Sequence, residues 1–360
     1  MSQPAIYIAV TSHGFGHAVR AATVAEKLRQ IRPDINLIFV TIAPQWLLKS
    51  YVRGEFVYRQ QVFDVGVIQS DSLTMDKQAT LSKMQSIIAQ EAQIITKEAE
   101  YIRNHNVKLV LADIPALAAP IARAAGIPCW MMSNFGWDFI YRHWGADFAE
   151  VTAWIENYYG QSDRLFRLPL AESMSAFPTI TDTGLTGATN RYSSEEIKQK
   201  FNLTAPQAQT ILLTFGGLGL QSIPYHNLQS FPDWQFITFD RAAPNLPNLL
   251  KVADNTLRPL DFMPICGRIV SKPGYSTFSE ALCYDLPIVS LTRQGFAEAE
   301  ILLNGIQDRS QHQIIATEEF FKGDWNFLHQ DLIPPRQTDK LPKDGATQIA
   351  REISKMFVVD

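Results

Sequence analysis

Cysteine is scarce in this chain: only Cys129, Cys266 and Cys283 occur, widely spaced. An odd, scattered set makes neither a disulfide framework nor a zinc-ligand spacing, so a reducing, cytoplasmic setting is the expectation. Long apolar runs are also missing. None approaches the ~20 residues that a bilayer span requires. The N-terminus lacks the basic start and cleavage site of a secretory leader, and no signal peptide is expected. There is no surplus of positive charge, because 32 Lys and Arg face 36 Asp and Glu for a net charge of -4. A basic stripe for nucleic acid is therefore absent. No DxD-like metal motif stands at a plausible strand end, so no essential metal or other cofactor is expected. Short repeats and low-complexity tracts are absent as well.

What is present suits a globular protein of more than one domain. The chain has 360 residues, 46% of them hydrophobic and 19% charged, enough to bury two sizeable cores. Residues 5–11 (AIYIAVT), 36–41 (NLIFVT), 108–112 (KLVLA) and 129–132 read as buried strands. Between them run helical patterns at 18–30, 76–104 and 115–125. After an irregular stretch at 168–192 the alternation restarts, with strands at 210–215 (TILLTF), 235–239, 268–271 (RIVS) and 287–291 (PIVSL). Strands alternating with helices predict parallel sheets covered on both faces. The expected architecture is α/β, with two Rossmann-like, doubly wound domains at 1–175 and 190–344 facing one cleft. A C-terminal helix within 345–360 is placed to pack back on the first domain. Ligands in such sheets bind beyond the carboxyl ends of the strands.

One such end is RIVSKPGYSTFSE, residues 268–280. The strand stops at Ser271, Pro273-Gly274 forces a turn, and a helix opens near Ser276 or Thr277. Gly274 permits close backbone approach, and a helix start offers N–H groups and positive potential to an anion. The hydroxyls of Ser276 and Thr277 add donors, and Lys272 supplies a point charge. Glu280, one helical turn beyond Ser276, suits two vicinal hydroxyls better than a phosphate. Diphosphate beside ribose is what a nucleotide sugar presents. The alternative is structural: Thr277-Phe278-Ser279-Glu280 also spells a capping box. Upstream, TILLTF runs into Gly216-Gly217, as a phosphate-side loop would, although a lone GGxG is a weak motif.

A second strand end is Ser12-His13-Gly14-Phe15-Gly16-His17, with Arg20 about one helical turn on. Transfer to a hydroxyl needs a base, and histidine is matched to neutral pH. Loop packing is the structural alternative for both His13 and His17. Asp113 ends another strand of the same predicted sheet, where its structural reading is a cap on the helix that follows. The aromatic block 134–144 contains Trp137 and Asp138 directly after a strand end. Aromatic faces stack on sugar rings, so these two residues are candidates for an acceptor platform, with core packing as the alternative.

KPGYSTFSE resembles the donor signature of GT-B enzymes, the HGG-aromatic-NS-x-x-E pattern of UDP-glycosyltransferases. It is also similar to the corresponding segment of the lipid II N-acetylglucosaminyltransferases. The resemblance implies phosphate contacts at Gly274, Ser276 and Thr277 and a ribose contact at Glu280. Lys272 replaces the usual histidine and Pro273 the first glycine of that pattern. It further implies a glycine turn at Gly216 and Gly217, and a sugar contact at Glu298, which otherwise reads as a solvated helix-start acid. Phe262 or Met263 would cover the base, unless both are core. On the acceptor side the resemblance selects His17 as base and Asp113 as its partner. His13, Gly14, Gly16, Arg20, Trp137 and Asp138 then line the acceptor side.

A longer resemblance joins SHGFGHAVR, SNFGWDFIYRHW, FRLPL, TFGG and KPGYSTFSEAL with FAEAEILLN. These segments look like the N-terminal, GT-B-like region of plant L-arabinokinases. No kinase-type glycine-rich phosphate loop occurs in these 360 residues, so kinase activity is not expected of them. The expectation is an inverting, metal-independent glycosyltransferase. It would take a nucleotide sugar, a UDP-sugar by resemblance, and a small-molecule, glycan or lipid-linked acceptor that could lie at a membrane surface. The alternatives are a non-catalytic nucleotide-sugar-binding or regulatory module and a nucleotide-sugar epimerase.

Overall fold

The computed structural model describes residues 3–70 and 73–357. The chain forms two compact units, one made of residues 1–69, 75–186 and 342–360 and the other of 70–74 and 187–341. Each unit is built on its own parallel sheet.

In the first unit the strands are β1 (Ala5–Val10), β2 (Asn36–Val40), β3 (Val57–Arg59), β4 (Val107–Asp113), β5 (Cys129–Ser133), β6 (Arg164–Arg167) and β7 (Ile180–Asp182). Their spatial order is β3-β2-β1-β4-β5-β6-β7. β1 is buried at every position, as expected for a strand covered on both faces. Four alanines at 18, 21, 22 and 25 lie on the buried side of the helix Gly16–Ile31. Their small size lets another helix, Gly345–Lys355, pack closely against it through Ile349, Ala350 and Ile353. The predicted helix over 76–104 is two helices, Lys77–Ile88 and Glu91–Asn104, separated by Ala89 and Gln90. Within the irregular stretch 168–192 lies the short edge strand β7, paired to β6.

In the second unit the strands are β8 (Thr210–Thr214), β9 (Gln235–Thr238), β10 (Leu249–Lys251), β11 (Arg268–Ser271), β12 (Ile288–Leu291) and β13 (His312–Ile315). They are ordered β10-β9-β8-β11-β12-β13. A core of Leu213, Phe236, Val270, Val289, Phe320 and Trp325, among others, covers one face of the sheet.

Both sheets change direction of winding beside their first strand. β1 lies between β2 and β4, and β8 lies between β9 and β11. Chain connections leave to opposite sides there, which opens a crevice at the carboxyl ends of the two central strands. The pairs that meet at these crevices are β1 with β4, where Val10 is level with Asp113, and β8 with β11, where Thr214 is level with Ser271. No helix of the described residues is long and apolar enough to cross a membrane.

Candidate active site

At the crevice of the first unit, the loop after β1 turns through Gly14, whose φ of +58° favours glycine. The next helix begins at Gly16. His17 and Arg20, three residues apart, share one face of that helix, and both reach Asp113 at the end of β4. His17 Nδ1 lies 2.7 Å from Asp113 Oδ1. Arg20 grips the same carboxylate with Nε at 2.5 Å from Oδ2 and Nη2 at 2.6 Å from Oδ1. Its remaining donors go to Ser133 Oγ and Asn134 Oδ1, each at 2.8 Å.

Counting hydrogens fixes the histidine tautomer. Arg20 Nη2 has two hydrogens, and Asp113 and Ser133 take both. Its 2.9 Å approach to His17 Nδ1 is therefore a packing contact. Nδ1 must carry the proton it donates to Asp113, which leaves the lone pair on Nε2. Burial would raise the pKa of Asp113, but the charge of Arg20 and the hydrogen bonds from Arg20 and His17 outweigh it and hold the carboxyl below its ordinary value. Arg20, expected on the acceptor side, is only 2% exposed and acts on Asp113 instead. An arginine this deep needs a carboxylate more than a ligand.

His13 differs from His17 in tautomer. Its Nδ1 accepts the Val67 N–H at 3.2 Å, so its proton sits on Nε2. Gly66 (φ +59°) lets this segment pass close by, because a Cβ there would strike the His13 ring. Trp137 stands behind both histidines, its ring 5.2 Å from His13 and 5.9 Å from His17. Its Nε1 donates to Thr11 Oγ1 at 3.1 Å, and Thr11 donates to Asp64 at 2.5 Å. Asp64 also accepts the Ser12 N–H, although burial still raises its pKa. Trp137 and Asp138 are buried and do not form an exposed platform. Arg142 donates to Asp138 at 3.0 Å. Burial, and then the nearby charge of Glu172, push the pKa of Asp138 up to about 6.

At the crevice of the second unit, β8 leads into Gly216 and Gly217. Gly216 has φ +78°, and its carbonyl accepts the Gly219 N–H at 3.1 Å to close the turn. Facing it, β11 ends in Lys272-Pro273-Gly274, and the helix Tyr275–Cys283 begins. The capping-box alternative does not hold. The N-cap is Gly274, which has no side chain, and Thr277 is already the third helical residue. Glu280, 5% exposed, lies one turn beyond Ser276 and too far along to cap. The start of this helix brings its positive end to the turn.

Lys272 is half-buried, and its Cε lies 3.5 Å from where a Cβ on Gly216 would sit. Burial, then repulsion from Arg293, push its pKa down to about 7, against the attraction of Glu298. Among the described residues its ammonium makes no hydrogen bond or ion pair. Arg293 follows β12, with its guanidinium 4.0 Å from the Phe296 ring. Glu298, the first residue of the helix Glu298–Arg309, is 5% exposed, which rules out the reading as a solvated acid. Phe262 and Met263, suggested as a cover for a base, are core: Phe262 packs on Phe201 and Phe239.

The sequence reading missed Ser133 and Asn134 behind Arg20, Asp64 behind Thr11, and Arg293 beside Lys272. Of these, only Arg293 had a usable signal, as a cation two residues past a strand end. Among the described residues no group of three or more His, Cys, Asp or Glu could hold a metal ion.

Two parallel α/β sheets, each with its polar cluster at the switch point, define the GT-B glycosyltransferase fold, and solved structures bear this out. The glycosyltransferase of kitacinnamycin superposes with a TM-score of 0.62 at 14% identity, covering 99% of this chain and 100% of that one. Medicago truncatula UGT71G1, in complex with UDP-glucose, gives 0.59 at 13% identity, covering 99% and 95%. In sequence the chain is 29% identical over 326 residues to the L-arabinokinase of Arabidopsis thaliana. That match covers 88% of this chain and 31% of the arabinokinase, so the chain spans about a third of that relative's length. No family model matches.

Proposed function

We propose that the chain is an inverting glycosyltransferase that uses a nucleotide sugar, a UDP-sugar by analogy with its structural relatives, with His17 as the base. The observation that carries this reading is the His17–Asp113–Arg20 arrangement. A carboxylate fixed by arginine holds the histidine in the tautomer with Nε2 as acceptor. A module that only binds a nucleotide has no use for such a base.

In this reading Nε2 takes the proton of the acceptor hydroxyl as its oxygen attacks the anomeric carbon. The bond from that carbon to the diphosphate breaks, and the leaving group departs with the electron pair. Lys272, Arg293 and the start of the helix Tyr275–Cys283 supply the positive charge that a departing diphosphate requires. Glu280 receives the ribose hydroxyls and Glu298 those of the sugar. One displacement inverts the anomeric centre.

A panel of UDP-, GDP- and TDP-sugars, followed by thermal shift and donor hydrolysis, tests the reading. At least one donor should stabilise the protein and be consumed in the presence of an acceptor. Donor binding without turnover across a broad acceptor panel would favour the non-catalytic module, and stabilisation by no nucleotide would remove both readings.

A further inference from the structure

The strands of the second sheet also have amino ends, and these carry polar chemistry that the donor site does not use. Gln209 precedes β8, Trp234 precedes β9, Arg268 is the first residue of β11, and Gln311 precedes β13. Together with His329 they line a cavity of about 540 Å³. At roughly 3.3 Å per residue, the four residues of β11 put this cavity about 13 Å from Lys272, at the opposite end of the strands.

Arg268 is the feature that asks for a ligand. Its Nε and Nη1 are buried and meet no hydrogen-bond acceptor among the described residues. Among the described residues no carboxylate forms an ion pair with it, and burial alone lowers its pKa from the ordinary value. Asp331 also lines the cavity, but it is exposed and makes no ion pair with Arg268. A half-buried guanidinium with two enclosed, unbonded nitrogens and no counterion is costly, and an anion entering the cavity would offset that cost. Around it, Trp234 offers an aromatic wall with His329 edge-on at 5.7 Å. The side-chain amides of Gln209 and Gln311 make no hydrogen bond within the described protein. An amide can both donate and accept, as a hydroxyl partner requires.

We infer that this cavity is a second binding site, separate from the donor site, for an anionic sugar: a ring bearing hydroxyls and one phosphate or carboxylate group. The anion meets Arg268, the hydroxyls meet the two glutamines, and a face of the ring lies on Trp234. The inference does not depend on the glycosyltransferase reading.

Calorimetric titration of the full chain with glucose 1-phosphate, glucuronate, glucose and inorganic phosphate, with and without saturating UDP, tests it. The expected result is saturable binding of glucose 1-phosphate or glucuronate, tighter than glucose or phosphate and unchanged by UDP. Arg268→Gln should weaken this binding at least tenfold and Trp234→Leu several-fold. Arg268→Gln should also leave the melting temperature equal or higher, because it removes an uncompensated charge. Arg268→Lys, which keeps the charge, should retain part of the affinity. The site is refuted if neither anionic sugar binds, if UDP displaces the bound sugar, or if Arg268→Gln binds undiminished. It is equally refuted by a destabilised Arg268→Gln, which would make the arginine structural. If UDP itself fails to bind, the donor reading falls while this titration still reads the second site.

Discussion

The two units share a winding pattern and place their polar clusters at the same topological position, yet the clusters are built on opposite principles. In the first, the charges around His17 are matched within the protein. Asp113 is held by Arg20 and His17, and Arg20 spreads its other donors over Ser133 and Asn134. In the second, Lys272 lies near Arg293 with Glu298 opposing, and burial first and then this repulsion push the lysine's pKa down. A base must be oriented before its substrate arrives, so its partners belong to the protein. An anion site is completed by the anion, and Lys272, whose ammonium bonds to none of the described residues, fits that pattern. In the proposed reading, the first arrangement suits a base and the second an anionic donor.

Mutations can break or sharpen this contrast. The largest effect should come from His17→Ala, which removes the base and lowers transfer by roughly 10²–10⁴. Donor affinity, measured by calorimetry, should stay unchanged; full activity in this variant would end the base assignment. Next, Asp113→Ala leaves Arg20 buried without its carboxylate and should cost about 3–5 kcal/mol of stability, read from denaturant unfolding. Lys272→Gln should do the reverse. Stability should hold or rise, while nucleotide-sugar affinity falls by about 1.5–3 kcal/mol, tenfold or more, as a charge-assisted bond is lost.

The pH profile adds a check on the same lysine. Its pKa in the unliganded protein is about 7, and a bound diphosphate raises it. Its contribution to affinity is therefore complete below pH 7 and is lost as pH rises through the higher, liganded value. Nucleotide-sugar affinity in the wild type should weaken on the alkaline side, and Lys272→Gln should flatten that limb. An alkaline limb of equal slope in the variant would exonerate the lysine. The smallest effect is expected from Glu280→Gln. It should weaken UDP several-fold, leave inorganic diphosphate unaffected, and shift the melting temperature little, because the helix is not capped by this residue. A lower melting temperature with unchanged UDP affinity would return Glu280 to a structural role.

Much of this fold was legible because its central strands are buried along nearly their whole length and therefore written in apolar, β-branched runs. β11 matches its sequence reading residue for residue, and β1, β4 and β8 match within a residue or two. The edge strands β3, β7 and β10 were not legible. Each has three residues, too few for a period, and exists because a neighbour offers a ladder. The break at Ala89-Gln90 was invisible because both residues are good helix formers. The helix after β11 starts earlier than its hydroxyls suggested, so a sequence that spells a capping box lies inside the helix. In the first cluster, the placement of His17 against Asp113 followed from a family pattern. The role of Arg20 did not, since a charged residue near a loop gives no sign of facing inward. Trp137 and Asp138 misled in the same way, as their position after β5 says nothing about burial.

The pairing of the helices Gly16–Ile31 and Gly345–Lys355 has a consequence for how the molecule is made. Arg32 hydrogen-bonds the Phe357 carbonyl, a contact between residues 325 positions apart. Nearly all of the second unit, residues 187–341, is one continuous stretch that leaves the ribosome before that partner helix exists. Domains fold as they emerge, and contacts distant in sequence close late. The unit that carries His17 is thus begun before the second unit and completed after it, its histidine-bearing helix waiting for its cover until residues 345–355 have been made.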